Sequence, residues 1–428
     1  MKILQESLAD TVTYVTKRSA VATGSPEVDQ TVRDIIKNVR INGDQAIFEY
    51  EKQFDQVDLT DLRVPQANID AAYENASTDL IEALELAKRN ITSYHEKEKQ
   101  RGFVDTEQPG VMRGERLTPL AAVGVYVPGG TAAYPSSILM NVLPAKIAGV
   151  KRIALVTPPQ KDGLNQAVLT AAKIAGVTEV YQVGGAQAIA ALAFGTKTIP
   201  RVDKITGPGN IFVATAKKQV FGQVSIDMIA GPSEIGIIAD ASADAENVAA
   251  DLLSQAEHDK LARPMLVTTD LKFAQAVSDS VDQQLLTLPR KEIATSSVNE
   301  QGFIAIVDQI EDAFTVMNAI APEHLEIQLE NAAQYLSYVE NAGSVFLGFA
   351  ASEPVGDYVA GPNHILPTGG TSRFFSALGV LDFMKRTQFV TYSTAALAKE
   401  EKAITTLART EGLEAHARAV ESRFRRQK

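Results

Sequence analysis

The sequence predicts an α/β protein built on two parallel sheets, each covered by helices. Between about Leu120 and Val220, short apolar strands alternate with glycine turns and helical stretches, and after Glu234 the alternation resumes. Strands that are apolar throughout, rather than at every second position, belong to sheets buried on both faces. The length, 428 residues, is enough for two or three domains with substantial cores.

Taken in order, the first hundred residues read as charged helices, with 29–54 and 77–99 as candidates. His95 lies there among Glu and Lys and reads as a surface residue. The first α/β set follows. AAVGVYVPGG (121–130) precedes SSILMNVLPAKIAG, and RIALVTPP (152–159) precedes QAVLTAAKIAG. EVYQVGG (179–185) precedes AQAIAALAFG, and KITGPGN (204–210) precedes IFVATAKKQVFG. Ligands of such sheets sit beyond the carboxyl ends of the strands, where glycine loops and helix N-termini present amide hydrogens. The loops at 184–185 and 207–210 are therefore candidates for holding a nucleotide. Neither completes GxGxxG, because Phe212 stands in the sixth position after Gly207 and Gly209. Glycine turns between strand and helix are also routine architecture, so the pattern is Rossmann-like but incomplete. GPSE (231–234) marks a junction, and EIGIIAD, PMLVTTD, FIAIVDQ and GSVFLGF supply the second set of strands. After Gly379 the chain reads as a helical tail to Lys428, with no internal repeat or low-complexity stretch.

Composition narrows the function. A net charge of -11 argues against a sequence-independent nucleic-acid binder, which needs a basic face. The basic end (Arg418, Arg423, Arg425, Arg426, Lys428) reads as a solvated helix terminus. With no cysteine, disulfides, thiolate metal sites and a cysteine nucleophile are excluded. No apolar run approaches membrane-spanning length, and MKILQESLAD lacks a signal-peptide core, so a cytoplasmic protein is expected.

The stretch with the most chemistry is SQAEHD (254–259), ending a helix predicted to start near Ser242. Ala245, Val248, Ala249 and Leu252 form its buried stripe, and one turn on the same face carries Gln255 and His258. An amide oxygen and an imidazole converging there suit a divalent metal such as zinc, although both could simply cap the helix end. Three more of the five histidines have carboxylates nearby: His324 after Glu323, His364 in a Gly/Pro loop with Asp357, and His416 five residues after Glu411. Gln255, His258, Asp357 and His416 would give two oxygens and two nitrogens. Such a set suits a zinc ion that stays a strong Lewis acid. Glu323 and His324 look like general-base equipment, while a first-turn acid favoured by a helix dipole is the structural reading of Glu323.

SQAEHD, IDMIAGPSE, APEHLEI, GDYVAGPNHILPTGG and EGLEAHARAV together closely resemble histidinol dehydrogenase, as do YVPGG, GGAQAIAALAFG and TGPGNIFVATAKK. The resemblance covers nearly the whole chain, from about Asp29 to Arg423. It implies oxidation of L-histidinol to L-histidine through L-histidinal with two NAD⁺, the last step of histidine biosynthesis. It implies one zinc ion per subunit, held by Gln255, His258, Asp357 and His416, with Glu323 and His324 as catalytic bases. Substrate contacts are expected from Ser233, His364 and Glu411 as well as from His324 and the metal ligands, and NAD contacts from Tyr126, Gln187 and Asn210. The expected layout is an N-terminal extension (1–24), a metal-bearing α/β domain (25–122 and 234–378), an NAD-binding α/β domain (123–233) and a helical tail (379–428). In a homodimer with shared sites, that tail would carry Glu411 and His416 to the partner. Three other readings are open: a related zinc/NAD dehydrogenase of another small diol or amino alcohol, a zinc hydrolase using Glu323 to activate water, and a non-enzymatic metal-binding protein. The hydrolase would leave the glycine loops without a purpose.

Overall fold

A computed structural model describes residues 1–18, 25–129 and 134–424, so Gly130, Arg425, Arg426 and Lys428 lie outside the described residues. The chain forms two compact units, Met1–Glu98 with Leu120–Phe383, and Lys99–Pro119 with Met384–Lys428.

In the first unit, strand β1 (Lys2–Leu4) and helix α1 (Leu8–Arg18) precede α2 (Pro26–Asn42). Ser25 caps α2 by accepting the Val28 N–H, and Pro26 occupies its first turn. The helix expected over 29–54 is interrupted at Gly43, whose φ of +55° only glycine adopts without strain. Helix α3 (Asp44–Tyr50) restarts there and widens into a π-helical turn, Glu51–Asp55. Helices α4 (Gln66–Glu74) and α5 (Thr78–His95) follow. His95 is not a surface residue: it is fully buried, with Nδ1 2.9 Å from Glu98 Oε2 and Nε2 3.5 Å from Asn363 Nδ2. Its charged neighbours Glu96 and Lys97 are exposed just past the end of α5, while the last turn of that helix carries His95 inward.

Strands β2 (Phe103–Asp105) and β3 (Val111–Pro119) belong to the second unit. The first unit resumes with β4 (Ala122–Tyr126), α6 (Pro135–Ala148), β5 (Arg152–Thr157), α7 (Gln166–Ala175) and β6 (Glu179–Gln182). Helix α8 (Gly185–Phe194), β7 (Lys204–Thr206), α9 (Ile211–Val220) and β8 (Ser225–Ile226) complete a five-stranded parallel sheet in the order β6-β5-β4-β7-β8. The chain leaves β4 to one side and returns at β7 on the other. That makes the crevice past β4 and β7 the topological switch point, the place where such sheets bind ligands.

The second sheet takes β9 (Glu234–Ala239), α10 (Ala245–Ala256), β10 (Arg263–Thr268), α11 (Leu271–Leu285), α12 (Lys291–Glu300) and β11 (Phe303–Ile306). Helix α13 (Ile310–Ile320), β12 (His324–Gln328), β13 (Ser344–Leu347) and α14 (Glu353–Tyr358) end it. Its six strands, all parallel, run β1-β11-β10-β9-β12-β13, with an apolar cluster on each face. His324 therefore opens a strand, not a helix. Ala321 closes α13 at φ +55°, and Pro322 and Glu323 lead straight into the sheet.

In the second unit the tail is more than helix. Strand β14 (Met384–Tyr392) pairs antiparallel with the full length of β3, from Met384 opposite Pro119 to Tyr392 opposite Val111, before α15 (Thr394–Thr410) and α16 (Glu414–Glu421). Its Thr387, Phe389, Val390, Thr391 and Tyr392 are strand-forming types that outweigh helical propensity once β3 offers an edge.

Candidate active site

The candidate site is built on the amino edge of the six-stranded sheet, where β9 and β12 begin side by side. Glu323 and His324 are both anchored on the backbone of Glu234. The Glu234 N–H donates to Glu323 Oε2 at 2.9 Å, and His324 Nδ1 lies 3.0 Å from the Glu234 carbonyl oxygen. A carbonyl can only accept, so Nδ1 carries a hydrogen, and in the neutral imidazole the lone pair is on Nε2. Nε2 is buried without a hydrogen-bond partner and stands 3.7 Å from Asp357 Oδ1. Ser233 immediately precedes this anchor, and its carbonyl accepts the Arg263 N–H. The Glu234 carboxylate is tied to Arg263 at 2.7 Å and takes the Gly369 N–H, which fastens the 356–370 loop to the same strand end.

Electrostatics follow from burial and crowded carboxylates. Burial pushes the Glu323 carboxyl up to about 8 against the opposing pull of His324. Burial works against a charged His324, but the Glu323 and Asp357 carboxylates outweigh it and bring the imidazole up to about 10. Asp357 is held well below the usual carboxylate range; burial opposes this, and the nearby His324 imidazole together with the charge of His364 overcomes it. Burial also lowers His258, partly offset by the charge of Asp357.

Gln255 and His258 arrive from α10. Its start is capped by Asp244 and its last turn carries Gln255 inward to 1 % exposure. His258 lies just past the helix end, near enough to Asp357 to feel its charge. Neither amide atom of Gln255 has a hydrogen-bond partner, although Glu353 lies close. A fully buried amide with nothing to bond is costly. Donor atoms of His324, Glu353 and Asp357 lie within 4.8 Å of one another, a spacing that suits a cation. The orphaned Gln255 atoms, the free Nε2 and the depressed Asp357 together fit a divalent metal at this point. His364 joins through Nδ1, 2.9 Å from the Asp357 carbonyl oxygen, and Nε2, 3.1 Å from Ser137 Oγ in the first turn of α6.

Sequence reasoning missed Glu353. It is buried and lifted to about 7, mainly by burial and then by Asp357, and it accepts the Ser254 hydroxyl at 3.0 Å. The i, i+4 spacing of Glu353 and Asp357 behind Pro354 was the available signal. Glu411 and His416 lie in the second unit, both exposed, at the end of α15 and on α16.

The three expected cofactor residues stand on the strand-end loops of the five-stranded sheet. Tyr126 closes β4, is buried, and accepts the Gly185 N–H on its hydroxyl at 3.2 Å. Gln187 lies buried in the first turn of α8. Asn210 caps α9, accepting the Phe212 and Val213 N–H groups at 3.0 and 3.1 Å. Gly207 is at φ +106°, and a Cβ there would come 2.0 Å from the Tyr126 carbonyl oxygen. The Gly207 peptide is clamped at both ends: its N–H donates to Asp227 Oδ2 at 2.8 Å, and its carbonyl accepts Lys217 Nζ at 3.0 Å. Lys217 and Asp227 also form a buried ion pair.

Comparison with known proteins identifies the family. Residues 18–424 match the family model described as histidinol dehydrogenase. Two curated relatives bear that name, one from Lactiplantibacillus plantarum, 66% identical over 99% of both chains, and one from Listeria monocytogenes, 56% identical over 99% of both. A crystal structure of histidinol dehydrogenase from Elizabethkingia anophelis superposes with a TM-score of 0.94 at 38% identity, covering 99% of this chain and 98% of that one. Among the described residues no helix is long and apolar enough to cross a membrane. Matched along nearly its whole length, with a paired acid and imidazole beside a site fit for a cation, this chain belongs to the histidinol dehydrogenase family, zinc- and NAD-dependent oxidoreductases of histidine biosynthesis.

Proposed function

We propose that Glu323 and His324 carry the proton transfers of a four-electron oxidation of L-histidinol to L-histidine in a cytoplasmic homodimer. The observation that carries the assignment is the direction of His324. Its Nδ1–H is spent on the Glu234 carbonyl, so proton exchange falls to Nε2, which has no hydrogen-bond partner and faces Asp357. In the first step His324 takes the hydroxyl proton of the alcohol while the carbinol hydride leaves for NAD⁺, giving the aldehyde. A second hydride can leave only after a nucleophile adds to that aldehyde, and the chain has no cysteine to supply one. Water adds instead. Glu323, one residue away and 3.7 Å from the imidazole, takes its proton as the imidazolium returns its own to the carbonyl oxygen, forming a gem-diol. His324 then removes a hydroxyl proton as the second hydride leaves, and the acid is released.

Gln255, His258 and Asp357, with His416 of the partner subunit, would hold a zinc ion, which would supply Lewis-acid anchoring for the substrate's nitrogen donors and would offset part of the negative charge around His324. Ser233 and His364, with Glu411 of the partner subunit, would complete the substrate contacts, and Glu353 would border the metal. Tyr126, Gln187 and Asn210 receive NAD⁺ at the switch point of the five-stranded sheet.

The decisive measurement is the yield of NADH absorbance from limiting histidinol, with and without a chelator. Two equivalents per substrate, lost on chelation and restored by zinc, are expected; a single equivalent would remove the aldehyde step from the reading.

A further inference from the structure

The π-helical turn Glu51–Asp55 brings a carboxyl group from the N-terminal helices into the glycine loop of the five-stranded sheet. Glu51 is fully buried, 133 residues before the loop it touches. Its Oε1 accepts two hydrogen bonds, from the Gly184 N–H at 3.1 Å and from Gln187 Nε2 at 2.9 Å. Gly184 is the residue before α8, and Gly185 opens that helix at φ +57° with its own N–H on the Tyr126 hydroxyl. Glu51 and Tyr126 thus each hold one N–H of the glycine turn. The same carboxyl aims the one polar side chain in the first turn of α8.

We infer that Glu51 is a positioning residue of the cofactor site, holding the Gly184–Gly185 turn and the Gln187 amide in the arrangement that receives the dinucleotide. The inference rests on the reading of Gln187 and the glycine loops as cofactor contacts. Without Glu51, the Gln187 amide and the Gly184 N–H would lie buried and unpaired on a stretch whose neighbours Val183 and Ala188 belong to an apolar cluster. The loop would then have to rearrange before it could bind. The acceptor survives a change of protonation. Burial pushes the Glu51 carboxyl up to about 8 against the two hydrogen bonds, and Asp55 adds to the rise. A proton on Oε2 still leaves Oε1 free to accept from both donors.

The test compares E51A, E51Q, E51D and Q187A in the full-length, zinc-loaded enzyme. NAD⁺ affinity is read by calorimetry, alongside KM for NAD⁺, KM for histidinol and kcat. E51A should weaken NAD⁺ binding about tenfold, the loss falling on KM for NAD⁺ rather than on kcat or KM for histidinol. E51Q keeps an acceptor oxygen at the same reach and should recover most of the affinity; E51D, one methylene short, should not. Wild-type affinity in E51A while Q187A is weakened would overturn the inference. Unchanged affinity in Q187A would instead sink the cofactor reading beneath it. If E51A fails to fold, E51Q against E51D decides: tighter binding by Glu51→Asp than by Glu51→Gln overturns the assignment.

Discussion

Glu234 orients both members of the proposed catalytic pair, Glu323 and His324, through its peptide group, while its side chain is spent on Arg263 and Gly369. A proton-transfer pair held by a strand's backbone cannot swing far, which is what repeated use of one imidazole in two oxidations requires. At this scale the prediction concerns Glu323. Glu323→Gln keeps the shape and the contact with the Glu234 N–H but removes the base. Turnover of histidinal should fall about a hundredfold or more, and an unchanged rate would assign water activation elsewhere. His95 shows the limit of residue-by-residue reading. Its sequence neighbours look solvated, yet it meets Asn363 across 268 residues, one position before His364.

At the scale of elements, the two sheets use opposite edges. The five-stranded sheet offers its carboxyl edge, with the glycine turns after β6 and β7, as doubly wound sheets do. The six-stranded sheet offers the amino edge of β9 and β12, and α10 returns Gln255 and His258 to it. Behind this edge β12 and α10 share a buried acidic cluster. Gln328 Nε2 donates to Glu326 and Asp251 at 2.7 Å each, and Glu326 Oε1 accepts the Glu353 N–H at 2.7 Å. Burial and then Asp251 push Glu326 from 4.5 up to about 8. Between those values the folded chain holds a proton that the unfolded chain has lost, so stability declines as pH rises through that window and levels off above it. Glu326→Gln cannot ionise and should flatten the decline; thermal unfolding from pH 5 to pH 9 measures this. A slope as steep as that of the wild type would show that Glu326 is not the group responsible.

For the whole molecule, the proposed metal site needs His416 from a second copy. Mixing His258→Ala with His416→Ala chains tests this, because each is inactive alone. In a mixed dimer one of the two sites would hold an intact His258 with the other chain's intact His416, so random exchange should restore about a quarter of wild-type activity. No recovery after exchange, with mixed dimers present, would place His416 in its own chain's site.

What the sequence determined by itself was the local and periodic part. Apolar strands followed by glycine turns announced the two parallel sheets, and the helical spacing of Val248, Ala249, Leu252, Gln255 and His258 announced a buried face that turns polar at its end. The family followed from motifs that are contiguous in the chain. What only the tertiary structure decided was where contiguity gives no information. The strand at His324, the pairing of β14 with β3, the burial of His95, and the approach of Glu353 to the metal residues all depend on partners far away in sequence. So does Glu51, an ordinary helical glutamate until the fold buries it against Gly184 and Gln187. The physical reason is that propensity and periodicity act over a turn or two of chain, whereas desolvation and charge act through space on whatever the fold has brought together.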